Sequence, residues 1–283
     1  MRNFFYPLVK NPYRNKDISA AINVLKKKKI TIGPITKKFE KTFTTKLKTK
    51  FSLMVNSGSS ANLLALQCLI NPYRKRRLKR GDEVLIPSLC WSTSLWPIIQ
   101  SGLTPKFVDV DTHTLNINLE DLQSKITKKT KALLIVHVLG NSTNMDELMK
   151  IKKKNNLILI EDTCESLGSK FRGKNLGSFG EFSSFSFYSS HQISSGEGGM
   201  VCCKNEEDYE IIKSLRAHGW SRGMKKEKEI SKKNKKLDGR FIFYNSGFNL
   251  RPTDVSASIG LSQFKDLGQF IKIRNFNRNL IIK

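Results

Sequence analysis

Along most of the chain, apolar runs of four to six residues alternate with stretches in which apolar positions recur every three or four residues. The runs predict strands over 53–56, 84–87, 106–110, 132–138, 157–161, 183–187 and 200–203. The periodic stretches predict helices over 17–28, 36–47, 60–70, 93–101, 119–124, 144–155, 206–217 and 253–267. Strands separated by helices need crossover connections, which is the mark of an α/β chain with a largely parallel sheet. The span 219–239 is rich in lysine and weakly patterned, and reads as a long surface loop. From Arg274 to Lys283 an amphipathic run continues to the last residue without Gly, Pro or a capping residue, as if a helix stopped in mid-pattern.

At 283 residues and 39% hydrophobic content the chain has enough apolar material for a sizeable core. The longest uncharged stretch, 84–105, is broken by Pro87, Pro97, Pro105, Gln100 and four serines, so no membrane span is expected. The first seventeen residues lack the apolar region of a secretory signal, and a cytoplasmic location is expected. Cys68, Cys90, Cys164, Cys202 and Cys203 are odd in number and include no CxxC pair, which points to reduced thiols and to neither a disulfide framework nor a zinc ribbon.

Charge changes the picture less than its size suggests. The 50 Lys and Arg against 24 Asp and Glu leave +26, and a basic face is the footprint of phosphate binding. Yet the lysines come in short scattered runs, at 26–29, 152–154, 225–226 and 232–236, without the interleaved aromatic residues of a nucleic-acid stacking platform. A solvated basic surface is the plainer reading, and no nucleic-acid partner is expected.

Three segments carry candidate chemistry. In Asn56-Ser57-Gly58-Ser59-Ser60-Ala61-Asn62-Leu63, Gly58 permits an open turn, and Ser59 and Ser60 can cap the helix that follows. A helix start of this kind suits a phosphate, and equally an ordinary capped helix. In Leu157 through Ser166 an apolar strand runs into Glu161-Asp162, placing Asp162 where ligands sit in open α/β sheets. There it would pair with a cationic ring nitrogen or serve as a structural carboxylate. Cys164 beside it reads as a small buried hydrophobe. The span 178–201 holds no Lys or Arg, where the average of 50 in 283 gives about four, so it lies in the core or lines a cavity. It contains His191, which by itself is either a hydrogen-bonded core group or a catalyst. Gly168 to Asn175, GSKFRGKN, approaches a phosphate-binding loop but ends in Asn175 instead of a hydroxyl, and no apolar helix follows. His113, His137 and His218 lack paired metal-ligand spacing, and no metal is expected.

Taken together, NSGSSANL, EDTCESLGS, FSFYSSHQISSGEGG and YNSGFNLRPTDVSASIGLSQ resemble, in order and spacing, the DegT/DnrJ/StrS family of pyridoxal-phosphate sugar aminotransferases over essentially the whole chain. The resemblance implies the aspartate aminotransferase-like fold type I, a three-layer α/β/α large domain followed by a smaller C-terminal domain. Residues 1–265 would form the cofactor-binding domain with an N-terminal helical segment. Residues 266–283 would begin the helix that leads into a small domain largely missing from this chain. It also implies homodimers whose sites draw on both subunits. Gly58, Ser59 and Ser186 would hold the cofactor phosphate and Asp162 the pyridinium nitrogen, while Trp91 would stack on the ring. Glu165 would lie near the pocket, and Asn249 would reach the partner's phosphate.

One position departs from the family pattern. Where the aminotransferases carry the lysine that binds the cofactor covalently, this chain has His191. Imidazole has no primary amine, but it moves protons near neutral pH. That exchange resembles the sugar 3-dehydratase branch, and implies a 3-dehydratase of deoxysugar and lipopolysaccharide O-antigen synthesis. It would use pyridoxal or pyridoxamine 5′-phosphate on a nucleotide-linked 4-keto-6-deoxyhexose, with L-glutamate as amine donor. A CDP-sugar subgroup holds an iron–sulfur cluster on four cysteines. The loop from Ala217 to Gly239 contains none, which favours a GDP-sugar. The alternatives are a sugar aminotransferase, a CDP-sugar dehydrase, or an inactive remnant.

Overall fold

Successive residues of the central strands are buried on opposite sides, as a sheet covered by helices on both faces requires. In the computed structural model, which describes residues 9–282, β4 (Thr130–Val136) sends Ala132 and Leu134 into one apolar layer and Leu133 and Ile135 into the other. The seven-stranded sheet has the order β1 (Phe51–Val55), β9 (Gly199–Cys203), β8 (Phe182–Ser186), β5 (Ile158–Asp162), β4, β2 (Glu83–Pro87) and β3 (Thr104–Val108). β9 runs antiparallel to both its neighbours, and the other pairings are parallel.

One face is covered by α3 (Gly58–Leu69), α4 (Ser92–Gln100) and α7 (Glu206–Arg216), with Leu64, Leu66, Ile98 and Ile212 fully buried. The other is covered by α5 (Leu119–Ser124) and α6 (Met145–Lys154), and further along by α2 (Pro34–Leu47) and α9 (Asp254–Lys265). Between α2, α9 and β8 lie Phe39, Phe43, Phe185, Phe187 and Phe264, with Phe43 and Phe264 stacked at 5.0 Å. Ring pairs of this kind contribute about 0.5–1.5 kcal/mol beyond their burial. α1 (Asn15–Lys26) docks on α9 through buried Asp17, which accepts hydrogen bonds from Arg14 and Ser262.

The expected α/β architecture is present, and the differences are local. The helix expected over 253–267 breaks at Asp266, and α10 (Leu267–Ile281) starts beyond it. Asp266 accepts from Arg14 at 2.7 Å and pairs with Lys16 at 2.5 Å. The stretch expected as loop contains α8 (Glu227–Lys233), whose one buried residue, Ile230, packs with Met224 and Ile242. A single apolar contact per helix leaves no period to read among lysines. GSKFRGKN forms a hairpin of β6 (Lys170–Phe171) and β7 (Lys174–Asn175), turned by Arg172 and Gly173 at φ +46° and +79°. Among the described residues no helix is long and apolar enough to cross a membrane. Residues 1–8, on which part of the leader reading rests, lie outside the described ones.

Candidate active site

Because β1, β5 and β8 run parallel, their carboxyl ends open on the same edge of the sheet. Asp162 ends β5, Ser186 ends β8, and α3 begins three residues after β1. This is where α/β sheets place ligands.

The cap of α3 is Ser57, and neither Ser59 nor Ser60 serves that role. The Ser57 hydroxyl accepts from the Ser60 N–H at 3.1 Å. That frees Ser59, whose Oγ donates to Thr93 at 2.8 Å. Gly58 is required by close approach and not by turn geometry: a Cβ there would lie 2.6 Å from Ser186 Cβ and 2.8 Å from Cys164 Sγ. Gly199 is equally confined, since its Cβ would sit 2.4 Å from the Ser57 carbonyl. The amides of Gly58 and Ser59 donate to no acceptor among the described residues. Two unused N–H groups at a helix start make an anion cradle.

Asp162 lies beside this cradle, 5% exposed. Its Oδ2 accepts from Asn62 Nδ2 and Ser94 Oγ, both at 2.7 Å, and its Oδ1 accepts from the Cys164 N–H at 3.1 Å. Asn62 and Ser94 were not anticipated as site residues. Asn62 stands four residues after Gly58, hence on the same face of α3, and that spacing was the available signal. Ser94 is the buried third residue of the Ser-Thr-Ser start of α4, and only the tertiary placement of that helix brings its hydroxyl to Asp162.

On the opposite face, Glu161 accepts from His137 Nε2 at 3.0 Å and from the amides of Gly177, Phe179 and Gly180 at 2.6–2.8 Å. The loop that leads into β8 is thereby tied to β5. His137, weighed in the sequence only as a metal ligand, has this structural partner instead.

His191 is half-buried in the turn after β8, its N–H donating to the Tyr188 carbonyl at 3.1 Å. Burial pulls the imidazole below its ordinary 6.5; the charges of Glu165 and Asp162 oppose this, and Arg274 adds to it. Glu165 accepts from the Leu139 N–H at 2.9 Å, and its carbonyl accepts from the Gln192 side chain. Gly58, Asp162, Cys164 and Ser186 therefore meet at this edge, Ser59 follows Gly58 at the helix start, and the charges of Glu165 and Asp162 reach His191. Burial, and then the charge of Asp162, push the Cys164 thiol well above its ordinary 9.0. Trp91 is the residue before α4, its carbonyl accepting from the Ser94 N–H, and the residue is 74% exposed. Asn249 is exposed and accepts from Arg251 at 3.0 Å, in contact with none of the other site residues through hydrogen bonds. Among the described residues, no group of three or more His, Cys, Asp or Glu could hold a metal ion.

The sequence profile of the DegT/DnrJ/EryC1/StrS aminotransferase family matches residues 12–283. The chain belongs to this family. Among its relatives, GDP-4-keto-6-deoxy-D-mannose 3-dehydratase of Escherichia coli O55:H7 is 41% identical over 274 residues, which cover 96% of this chain and 70% of that protein. Two solved structures of GDP-4-keto-6-deoxymannose-3-dehydratase superpose with a TM-score of 0.92 at 40% identity, covering 97% of this chain and 72% of theirs. One holds a trapped PLP-glutamate geminal diamine, and the other is a histidine-to-asparagine variant with bound GDP-perosamine. The family's α/β fold with its mostly parallel sheet is the fold described above.

Proposed function

We propose that this chain is a pyridoxamine-phosphate-dependent 3-dehydratase acting on a GDP-linked 4-keto-6-deoxyhexose, in deoxysugar synthesis for lipopolysaccharide. The observation that carries the reading is the imidazole of His191, in a family of aminotransferases, under the charges of Asp162 and Glu165. The residues present fit the cofactor. The unused amides of Gly58 and Ser59, with the Ser59 and Ser186 hydroxyls, suit its phosphate, and buried Asp162 suits a protonated ring nitrogen. When bound, the cofactor supplies an amine for the sugar ketone and a ring that accepts electrons.

The chain's own residues then divide the work. Asn62 and Ser94 fix the Asp162 carboxylate so that it holds the ring nitrogen in its charged form. His191 takes up a proton and delivers one to the C3 hydroxyl, which leaves as water; general acid–base work of this kind is worth about 10²- to 10⁴-fold. Without a lysine to recapture the cofactor, the product is released and hydrolyses to a 3-deoxy-4-keto sugar and ammonia. L-Glutamate restores the amine, a role supported by the glutamate adduct of the solved relative.

The assembly is read as a homodimer in which Asn249, exposed and free of its own site, completes the partner's phosphate cradle. Trp91 lies against the ring once the cofactor covers it. Residues 1–265 form the cofactor domain, and 266–283 begin a link to a second domain, a division supported by the break at Asp266.

The test supplies the chain with pyridoxal phosphate, glutamate and GDP-4-keto-6-deoxymannose. Formation of a 3-deoxy sugar with release of ammonia supports the reading, and an amino sugar would assign the chain to the aminotransferases instead. His191→Asn should stop dehydration while leaving cofactor binding intact.

A further inference from the structure

The start of β1 and the start of β8 lie at the edge of the sheet remote from Asp162. Five strand residues separate each start from the cofactor edge, roughly 16 Å. Beside these starts is a cavity of about 810 Å³, within the size range of small-molecule sites. Lys46 lines it from the last turn of α2, and Lys48 and Lys50 from the turn between α2 and β1. Lys170, Arg172 and Lys174 line it from the β6–β7 hairpin, and Lys204 from the end of β9.

Little on the protein balances these cations. Glu181, the one carboxylate in the lining, is held by Lys152 at 2.6 Å, and Arg172 is held by Asp146 at 2.6 Å. Lys46 and Lys204 donate to the carbonyls of Phe264 and Phe179 at 2.9 and 2.5 Å. Lys48, Lys50, Lys170 and Lys174 have no carboxylate within salt-bridge distance among the described residues. Burial pulls Lys204 below its ordinary 10.5; Glu181 opposes this and Lys174 adds to it. Unbalanced like charges around one concavity repel each other, and an anion placed between them relieves the repulsion.

We propose that this cavity is a binding site for a phosphate-rich anion carrying three or more negative charges, separate from the cofactor site. Six of the seven cations that line it are lysines, compact charges on flexible stems that can turn into one space, which suits the charge density of an oligophosphate. Peptide carboxylates are spread more widely along an extended chain. The segment GSKFRGKN, rejected as a nucleotide loop, contributes here through its lysines on a hairpin. Inorganic oligophosphate and the phosphate chain of a nucleoside triphosphate share this chemistry.

The experiment titrates tripolyphosphate into the full chain by calorimetry at low salt. The cofactor site is first filled with pyridoxamine phosphate, which has no aldehyde to react with lysines. One-to-one binding is expected, weakening as salt rises. Combined replacement of Lys48, Lys50, Lys170 and Lys174 by Ala should weaken it at least about tenfold. Replacing Lys226, Lys228, Lys232 and Lys235, equally exposed and equal in charge, should change it less than about twofold. ATP binding more tightly than tripolyphosphate identifies a nucleotide as the ligand, and equal binding identifies the phosphate chain alone; both support the site. Absence of binding, equal loss in the two variants, or tighter binding of a polyglutamate peptide would overturn it. Circular dichroism of both variants confirms the fold, and Lys170→Glu with Lys174→Glu repeats the test with two changes.

Discussion

His137 and Glu161 meet at 3.0 Å with neither side chain exposed, on the face of the sheet opposite to Asp162. Burial raises the Glu161 pKa, but the hydrogen bond and charge of His137 and the amides of Gly180 and Gly177 outweigh it and leave the carboxyl below its ordinary 4.5. Removing one member of such a pair strands the other away from water. Glu161→Ala should cost on the order of 3–5 kcal/mol, read from the urea midpoint. Because the folded pKa is depressed, this contribution is fully present above pH 4.5 and lost as pH falls through the folded value. The wild-type chain should therefore lose stability below pH 4.5 more steeply than Glu161→Gln does.

Asp162 is the acceptor for two buried side-chain donors. Asp162→Ala leaves Asn62 and Ser94 unpaired, at a cost of about 1–3 kcal/mol for each stranded group. Pyridoxal phosphate affinity, followed by tryptophan fluorescence, should fall in this variant by more than in Asn62→Ala. Equal affinities in the two would remove Asp162 from the cofactor site.

Two glycines separate close approach from mere flexibility. Gly58→Ala pushes a methyl into Ser186 and Cys164, and should destabilise the fold by about 1–3 kcal/mol while weakening cofactor binding. Gly268 in α10 has nothing within 4 Å of the place a methyl would take, so Gly268→Ala should be neutral or stabilise by about 0.4–1 kcal/mol in thermal unfolding.

The charges around His191 work in opposite directions. Glu165 and Asp162 favour the imidazolium, Arg274 from α10 disfavours it, and burial disfavours it most. Lys10 and Arg274 line a second, smaller cavity together with His191, and the Tyr188 ring lies 6.3 Å from the imidazole. In an NMR titration of the apo chain, His191 should titrate below 6.5. Arg274→Gln should move it up and Glu165→Gln should move it down. Arg274 also donates to the His191 carbonyl at 3.1 Å, so a changed backbone amide shift at residue 191 should accompany the first substitution.

Much of the fold was legible because burial on a sheet leaves a period. The runs over 53–56, 84–87 and 132–138 each mark a strand, with ends displaced by one or two residues: Phe51 joins β1 opposite Cys203, whereas β4 stops at Val136. α8 was not legible, since Ile230 is its single buried residue. The site was legible in part. Gly58, Asp162 and His191 stand in segments whose composition is unusual, whereas Asn62 and Ser94 are ordinary residues until the fold brings their side chains to Asp162 at the end of β5.

Local chemistry is written in the order of residues: which segments are strands, where a carboxylate ends one, and that an imidazole stands at position 191 in place of an amine. What each group touches is a matter of distance between segments far apart in the chain, and sequence separation carries no distance. That Gly58 must be glycine because Ser186 presses on it, that Asp162 is held by Asn62 and Ser94, and that lysines from three segments ring one cavity are facts of packing. They exist only once the sheet has brought its strand ends together.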